Sequence, residues 1–147
     1  MFFITTLAAA AAIAQATPAQ WTHSVPVDHG RGQATAIYEA RPVVSTRQIG
    51  TSMGTRMSTA RCLWTADIAV ERRLETSGVN QTGTREMAAV KTLKGSRHGA
   101  CATSRGSIDK EIAAQTPAIR AHLVAVAERD QQELRTEIDT LAPPAGR

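Results

Sequence analysis

The stretch Thr59–Leu74 sets the tightest limit on how this chain can fold. Ala60, Cys62, Trp64, Ala66, Ile68 and Val70 take alternate positions, with Arg61, Leu63, Thr65, Asp67, Ala69 and Glu71 between them. Side chains alternate across a strand with period two, so this is a strand with one face to a core and the other mostly to water. Such a strand belongs to an antiparallel sheet, because strands of a parallel sheet are buried on both faces and lose the alternation. Cys62 and Trp64 fall next to each other on the core face.

Weaker alternations extend the sheet in both directions. Trp21–Val27 reads as a first strand whose Pro26 favours an edge position, and Asp28–Gly32 as a turn. Gln33–Ala40 reads as a second strand that Pro42 breaks or bends, with an extended pattern resuming over Val43–Ile49. Gly50–Gly54 reads as a loop. Ser77–Gly83 carries the Gly and Asn of a wide hairpin turn, and Thr84–Leu93 reads as the returning strand. Within it, Met87-Ala-Ala-Val90 would also suit the start of a helix. Lys94–Gly99 reads as a loop leading to Cys101.

From Ser107 the period lengthens from two to about 3.6. Ser107 suits the N-cap of a short helix with Ile108 and Ile112 on one side. Thr116-Pro117 has the N-cap and first-turn proline of a second helix. Ile119, Leu123, Val126, Leu134, Ile138 and Leu141 then form one apolar stripe, interrupted at Asp130 and ended by Pro143-Pro144. The expected fold is α+β, an antiparallel sheet of four to five strands covered on one face by two C-terminal helices. It forms a single domain over 17–142, with a tail at 143–147. The stripe is expected to pack on the sheet. The interruption at Asp130 and the Asp/Glu/Arg-rich opposite face make the far half of this helix the expected place for an outside partner, an envelope protein docking on the helical face 117–141.

Residues 2–14 carry no charge, and Ala14-Gln15-Ala16 has the small-x-small pattern of a signal-peptidase site. A signal peptide is therefore expected over 1–16, with a mature chain from Thr17. The apolar run falls short of the roughly 20 residues that span a bilayer, and no later segment is apolar enough to do so. Cleavage would remove Phe2 and Phe3 and leave Trp21, Tyr38 and Trp64 as the aromatics. A core built mainly of Val, Ile, Leu and Ala gains from a covalent brace. Cys62 and Cys101, the two cysteines of the chain, are expected to pair in an oxidising compartment. Closing that loop of about 40 residues is worth roughly 3–4 kcal/mol. The expected location is periplasmic or secreted, in a bacterial chain whose arginine and alanine bias suggests a GC-rich coding genome.

The formal net charge is +4, and it is unevenly spread. Thr17–Gly106 holds twelve Lys/Arg against six Asp/Glu, and Ser107–Leu141 four against seven. Two segments of opposite sign tend to dock. Arg72, Arg73, Arg97 and His98 are the candidates for contact with an anion. His98 and Cys101 alone do not make a zinc site, which needs three or four ligands. The chain has no HExxH helix, P-loop or strand-linked GxGxxG, and Gly50-Thr-Ser-Met-Gly54, which has the GxSxG spacing, reads as a loop between two strands rather than the strand-to-helix turn of a nucleophile elbow. Asp67, Glu71 and Glu75 fall on the outer side of their strand. No catalytic, metal or cofactor residue is assigned, and no cofactor is expected. So few aromatics argue against nucleic acid, whose bases stack on exposed rings. The expected role is that of an exported, non-catalytic protein binding another protein or an envelope component. The alternatives are a small periplasmic hydrolase or accessory enzyme, and a basic surface binder of anionic lipid, lipopolysaccharide or nucleic acid.

Overall fold

The computed structural model describes residues 21–29, 32–51, 58–76 and 79–141. The expected signal peptide at 1–16 and the tail at 143–147 lie outside them. Four strands, β1 (Trp21–His29), β2 (Gly32–Ile49), β3 (Arg61–Thr76) and β4 (Val79–His98), precede two helices, α1 (Cys101–Ala114) and α2 (Thr116–Leu141). The strands form one antiparallel meander in the order β1-β2-β3-β4. The α+β class read from the two hydrophobic periods is the observed one.

The alternating residues of β3 behave as their period dictates. Cys62, Trp64, Ala66, Ile68, Val70 and Leu74 are buried, together with Ala34, Ala36, Tyr38 and Ala40 of β2. They share one cluster with Ile108 and Ile112 of α1 and with Ile119, Leu123, Val126, Leu134 and Ile138 of α2. Small alanines on β2 leave room in this cluster for the larger side chains of the two helices. α2 packs mainly along β1, and α1 meets β3.

Several local expectations are corrected. β2 runs unbroken through Pro42. The register between β1 and β2 stops at Trp21↔Ala40, so Pro42 lies where β2 has a described neighbour on one side alone, the place a strand tolerates proline. Val79–Gly83 of the expected wide turn are strand, because β3 and β4 stay paired to Thr76↔Val79, and Ser77-Gly78 lie outside the described residues. β4 also runs on to His98 through the segment read as a loop. Met87-Ala-Ala-Val90 is strand, and a register shift against Ile68–Val70 absorbs its extra residues. Ser107 lies inside α1, which starts at Cys101 with Ala100 as its N-cap residue.

The turn from β4 into α1 needs Gly99, whose φ of 100° is one that side chains with a Cβ rarely adopt. Cys101 follows two residues later and is bonded to Cys62, Cα to Cα 4.9 Å. The expected disulfide therefore joins β3 to the first residue of α1 rather than to a preceding loop.

Candidate functional site

Polar side chains divide the molecule into an interior network and an outer sheet face. The network grows from two interruptions in apolar patterns. Arg72 continues the inward series of β3 between Val70 and Leu74, and Asp130 sits in the apolar stripe of α2. Both are buried, and Arg72 Nη1 donates to Asp130 Oδ2 at 2.7 Å. Tyr38 Oη donates to the same oxygen at 2.9 Å. Arg72 Nη2 also donates to Glu137, about two turns further along the same face of α2.

Burial pushes the Tyr38 phenol well above its ordinary pKa, and the Asp130 carboxylate adds to the rise. Burial works against the Arg72 charge, but Asp130 and Glu137 outweigh it and leave the guanidinium above its usual value. Arg85, opposite Arg72 on β4, reaches Glu133 at 2.7 Å. At the other end of the sheet Arg97 pairs with Glu111 of α1, and Trp64 Nε1 donates to the same carboxylate at 3.0 Å. Each of these pairs links a sheet arginine to a helix acid, so the opposed charges of the two chain halves do meet. Here they serve architecture.

That arrangement places the four anion candidates separately. Arg72 is fully buried and committed to two carboxylates, so it does not face solvent. Arg73 points to the outer face beside Glu39 and Glu75, at 3.6 and 3.4 Å. Arg97 is held by Glu111. His98 lies exposed on the outer face, opposite Arg61. The four do not form one site. The apolar stripe of α2 is likewise spent inside the domain, with Leu134 and Ile138 buried beyond Asp130. The far half of that stripe is core, as its period led one to expect, while Gln131, Gln132, Glu133, Arg135, Thr136 and Asp139 on the opposite face of the helical segment 117–141 stay exposed.

The outer sheet face has two unlike ends. Toward the α2 end, Arg41 and Arg73 lie among Glu39, Glu71 and Glu75 at 3.4–3.6 Å. Asp67, midway, accepts from Thr92 Oγ1 at 2.6 Å. Toward the α1 end, the register sets Arg47 beside Leu63 and Ser96, Ser45 beside Thr65 and Lys94, and Ile49 beside Arg61 and His98. Arg47, Arg61, Lys94 and His98 make no ion pair or side-chain hydrogen bond among the described residues. Ser45, Arg47, Leu63, Thr65 and Lys94 border a shallow trough of about 350 Å³.

A second depression of about 310 Å³ lies on the inner side of the same strand, between Val44, Thr46 and the start of α1 at Cys101, Ala102, Arg105, Ile108 and Asp109. The sequence did hold the signal for this patch. Odd-numbered residues of β3 point outward, so their partners on β2 and β4 do too. Without the register, Arg47 and Lys94 could not be seen to converge.

No group of three or more His, Cys, Asp or Glu among the described residues could hold a metal ion, and no described helix is long and apolar enough to cross a membrane. No family model matches the chain, and neither a curated protein nor a solved structure is significantly similar to it.

Proposed function

We propose that this is an exported, non-catalytic bacterial protein of the periplasm or the extracellular medium. It works by binding an acidic segment of another protein at the α1 end of its sheet. The observation that carries the proposal is the unmatched charge there. Arg41, Arg72, Arg73, Arg85 and Arg97 each lie against a carboxylate, whereas Arg47, Arg61 and Lys94 converge with His98 and have none among the described residues. A like-charge cluster beside apolar Leu63 and Ile49 is unfavourable alone and is relieved by an anionic partner. The Cys62–Cys101 bond supports export, since such bonds persist in oxidising compartments.

Site-specific photo-cross-linking in the native host tests this. A cross-linking side chain at Ser45 or Leu63 is expected to give one discrete protein adduct that Arg47→Glu with Lys94→Glu abolishes. The same side chain at exposed Thr22 or Gln132 is expected to give none. Equal labelling at all four positions, or adducts with lipid alone, would refute the proposal.

A further inference from the structure

We infer that His98 makes the α1-end patch a pH-gated site, which holds its acidic partner more tightly as the pH falls through neutrality. The inference rests on the binding role argued above and specifies how that role is regulated.

The counter-charge of the patch has to come from outside the chain. All 13 Asp and Glu residues of the sequence lie among the described residues. None of them forms an ion pair with Arg47, Arg61, Lys94 or His98. The segments outside the described residues add arginine and no acid.

His98 is exposed within this cluster. Its Cα partner on β3 is Arg61, which in turn faces Ile49 on β2. In the next outward row Arg47, Leu63 and Ser96 lie side by side, and Lys94 follows with Thr65 and Ser45. On β4 itself Arg97 turns to the inner face, where Glu111 of α1 takes it. The other charged residues of α1 are Arg105, Asp109 and Lys110, and Arg105 and Asp109 border the inner depression. The segment outside the described residues between β2 and β3 holds Arg56 as its one charged residue. The outer neighbours of the imidazole are therefore cations, hydroxyls and apolar side chains.

Guanidinium and ammonium groups keep their charge across the neutral range, as carboxylates do above about pH 5. Imidazole is the side chain whose charge changes there. Arg47, Arg61 and Lys94 are thus the fixed charges of the patch, and His98 is its variable one. An anion seated beside an imidazole favours the protonated form. Binding then takes up protons, and linkage requires affinity to rise as the pH falls. One added charge beside a bound carboxylate at a protein surface is worth about three- to tenfold in affinity.

Titration of the full disulfide-bonded chain with a short peptide, one central leucine flanked by glutamates, tests the inference. Binding is expected to tighten about three- to tenfold between about pH 8 and about pH 6. Calorimetry in buffers of unequal ionisation heat is expected to show proton uptake. His98→Gln should bind at the weak, high-pH level throughout, and His98→Arg at the tight level throughout. Neither variant should take up protons, and both should keep the melting curve of the parent. In the native host, the adduct from a cross-linking side chain at Leu63 should grow as the medium is acidified over the same range.

Peptide binding of equal strength at both pH values, or a slope that survives His98→Gln, overturns the gate and leaves the binding role standing. Absence of peptide binding at either pH overturns it as well, and the adduct at Leu63 then decides whether the binding role survives. Phosphatidylglycerol vesicles that bind with this slope where the peptide does not would assign the patch to a membrane surface, which also overturns the inference.

Discussion

The two ends of the sheet are held together by different means. At the α2 end the layers meet through charge, with Arg72 and Arg85 reaching Asp130, Glu133 and Glu137, and the outer arginines are matched by acids of their own sheet. At the α1 end a covalent bond ties α1 to β3 beside the Arg97–Glu111 pair, and the outer cations Arg47, Arg61 and Lys94 have no acid partner among the described residues. The difference lies on the outer face: inner arginine–acid pairs join helix to sheet at both ends, whereas outer acids gather at the α2 end. Where a disulfide shares in the joining, outer cations remain free of ion pairs among the described residues, and the proposed binding role draws on them.

The largest expected effect lies at the charged end. Arg72→Met leaves the Asp130 carboxylate buried with only Tyr38 for company, and chemical denaturation should show a loss of about 3–5 kcal/mol, the usual result of breaking a buried pair. Adding Asp130→Leu should recover most of it, because two apolar groups need no partner. If Arg72→Met alone loses less than about 1 kcal/mol, the network is not what holds that end.

Removing the disulfide tests the other end. Cys62→Ala with Cys101→Ala should lower stability by roughly 3–4 kcal/mol through the freed unfolded chain. An equal loss of protection at both ends in hydrogen exchange would erase the contrast, since α1 should loosen first.

Gly95→Ala attacks the same end by packing. A Cβ there would overlap the Trp64 indole, whose N–H is held by Glu111, so about 1–3 kcal/mol should be lost to overpacking. The Trp64 hydrogen bond should weaken with it.

Tyr38→Phe is milder, about 1 kcal/mol at neutral pH. It also carries a pH signature. The folded phenol holds its proton above its unfolded pKa, so the unfolded state releases a proton first and stability falls as pH rises past about 10. The variant should lack that part of the alkaline loss. Since the chain has one tyrosine, the phenolate absorbance of the native protein reports this group alone. The smallest effect is expected for Arg47→Glu with Lys94→Glu, within about 0.5 kcal/mol, and a larger loss would make these cations structural.

Both hydrophobic periods were legible without coordinates. The period-two run of β3 named its inward set as far as Val70, and the stripe of α2 named its core residues from Ile119 to Ile138. The pairing of Cys62 with Cys101 followed from their number. What could not be read was how two interruptions answer each other. Arg72 breaks an apolar alternation and Asp130 breaks an apolar stripe, 58 residues apart. Local pattern carries no sign of a partner on another element, so Arg72 read as an anion contact and Asp130 as an interruption of the stripe. The strand ends were misread for a related reason. Pro42 and Lys94–His98 look like breakers in isolation, and only the ladder to β3 makes them strand.

Trp21 donates its indole N–H to Thr116 at the start of α2, and Trp64 donates to Glu111 on α1. With two tryptophans in the chain, each helix carries its own built-in optical reporter on the sheet beneath it. A single-tryptophan form therefore watches one helix leave without interference from the other. Whether the covalently tethered helix and the charge-tethered one detach together is thus open to direct reading by fluorescence, with no added label.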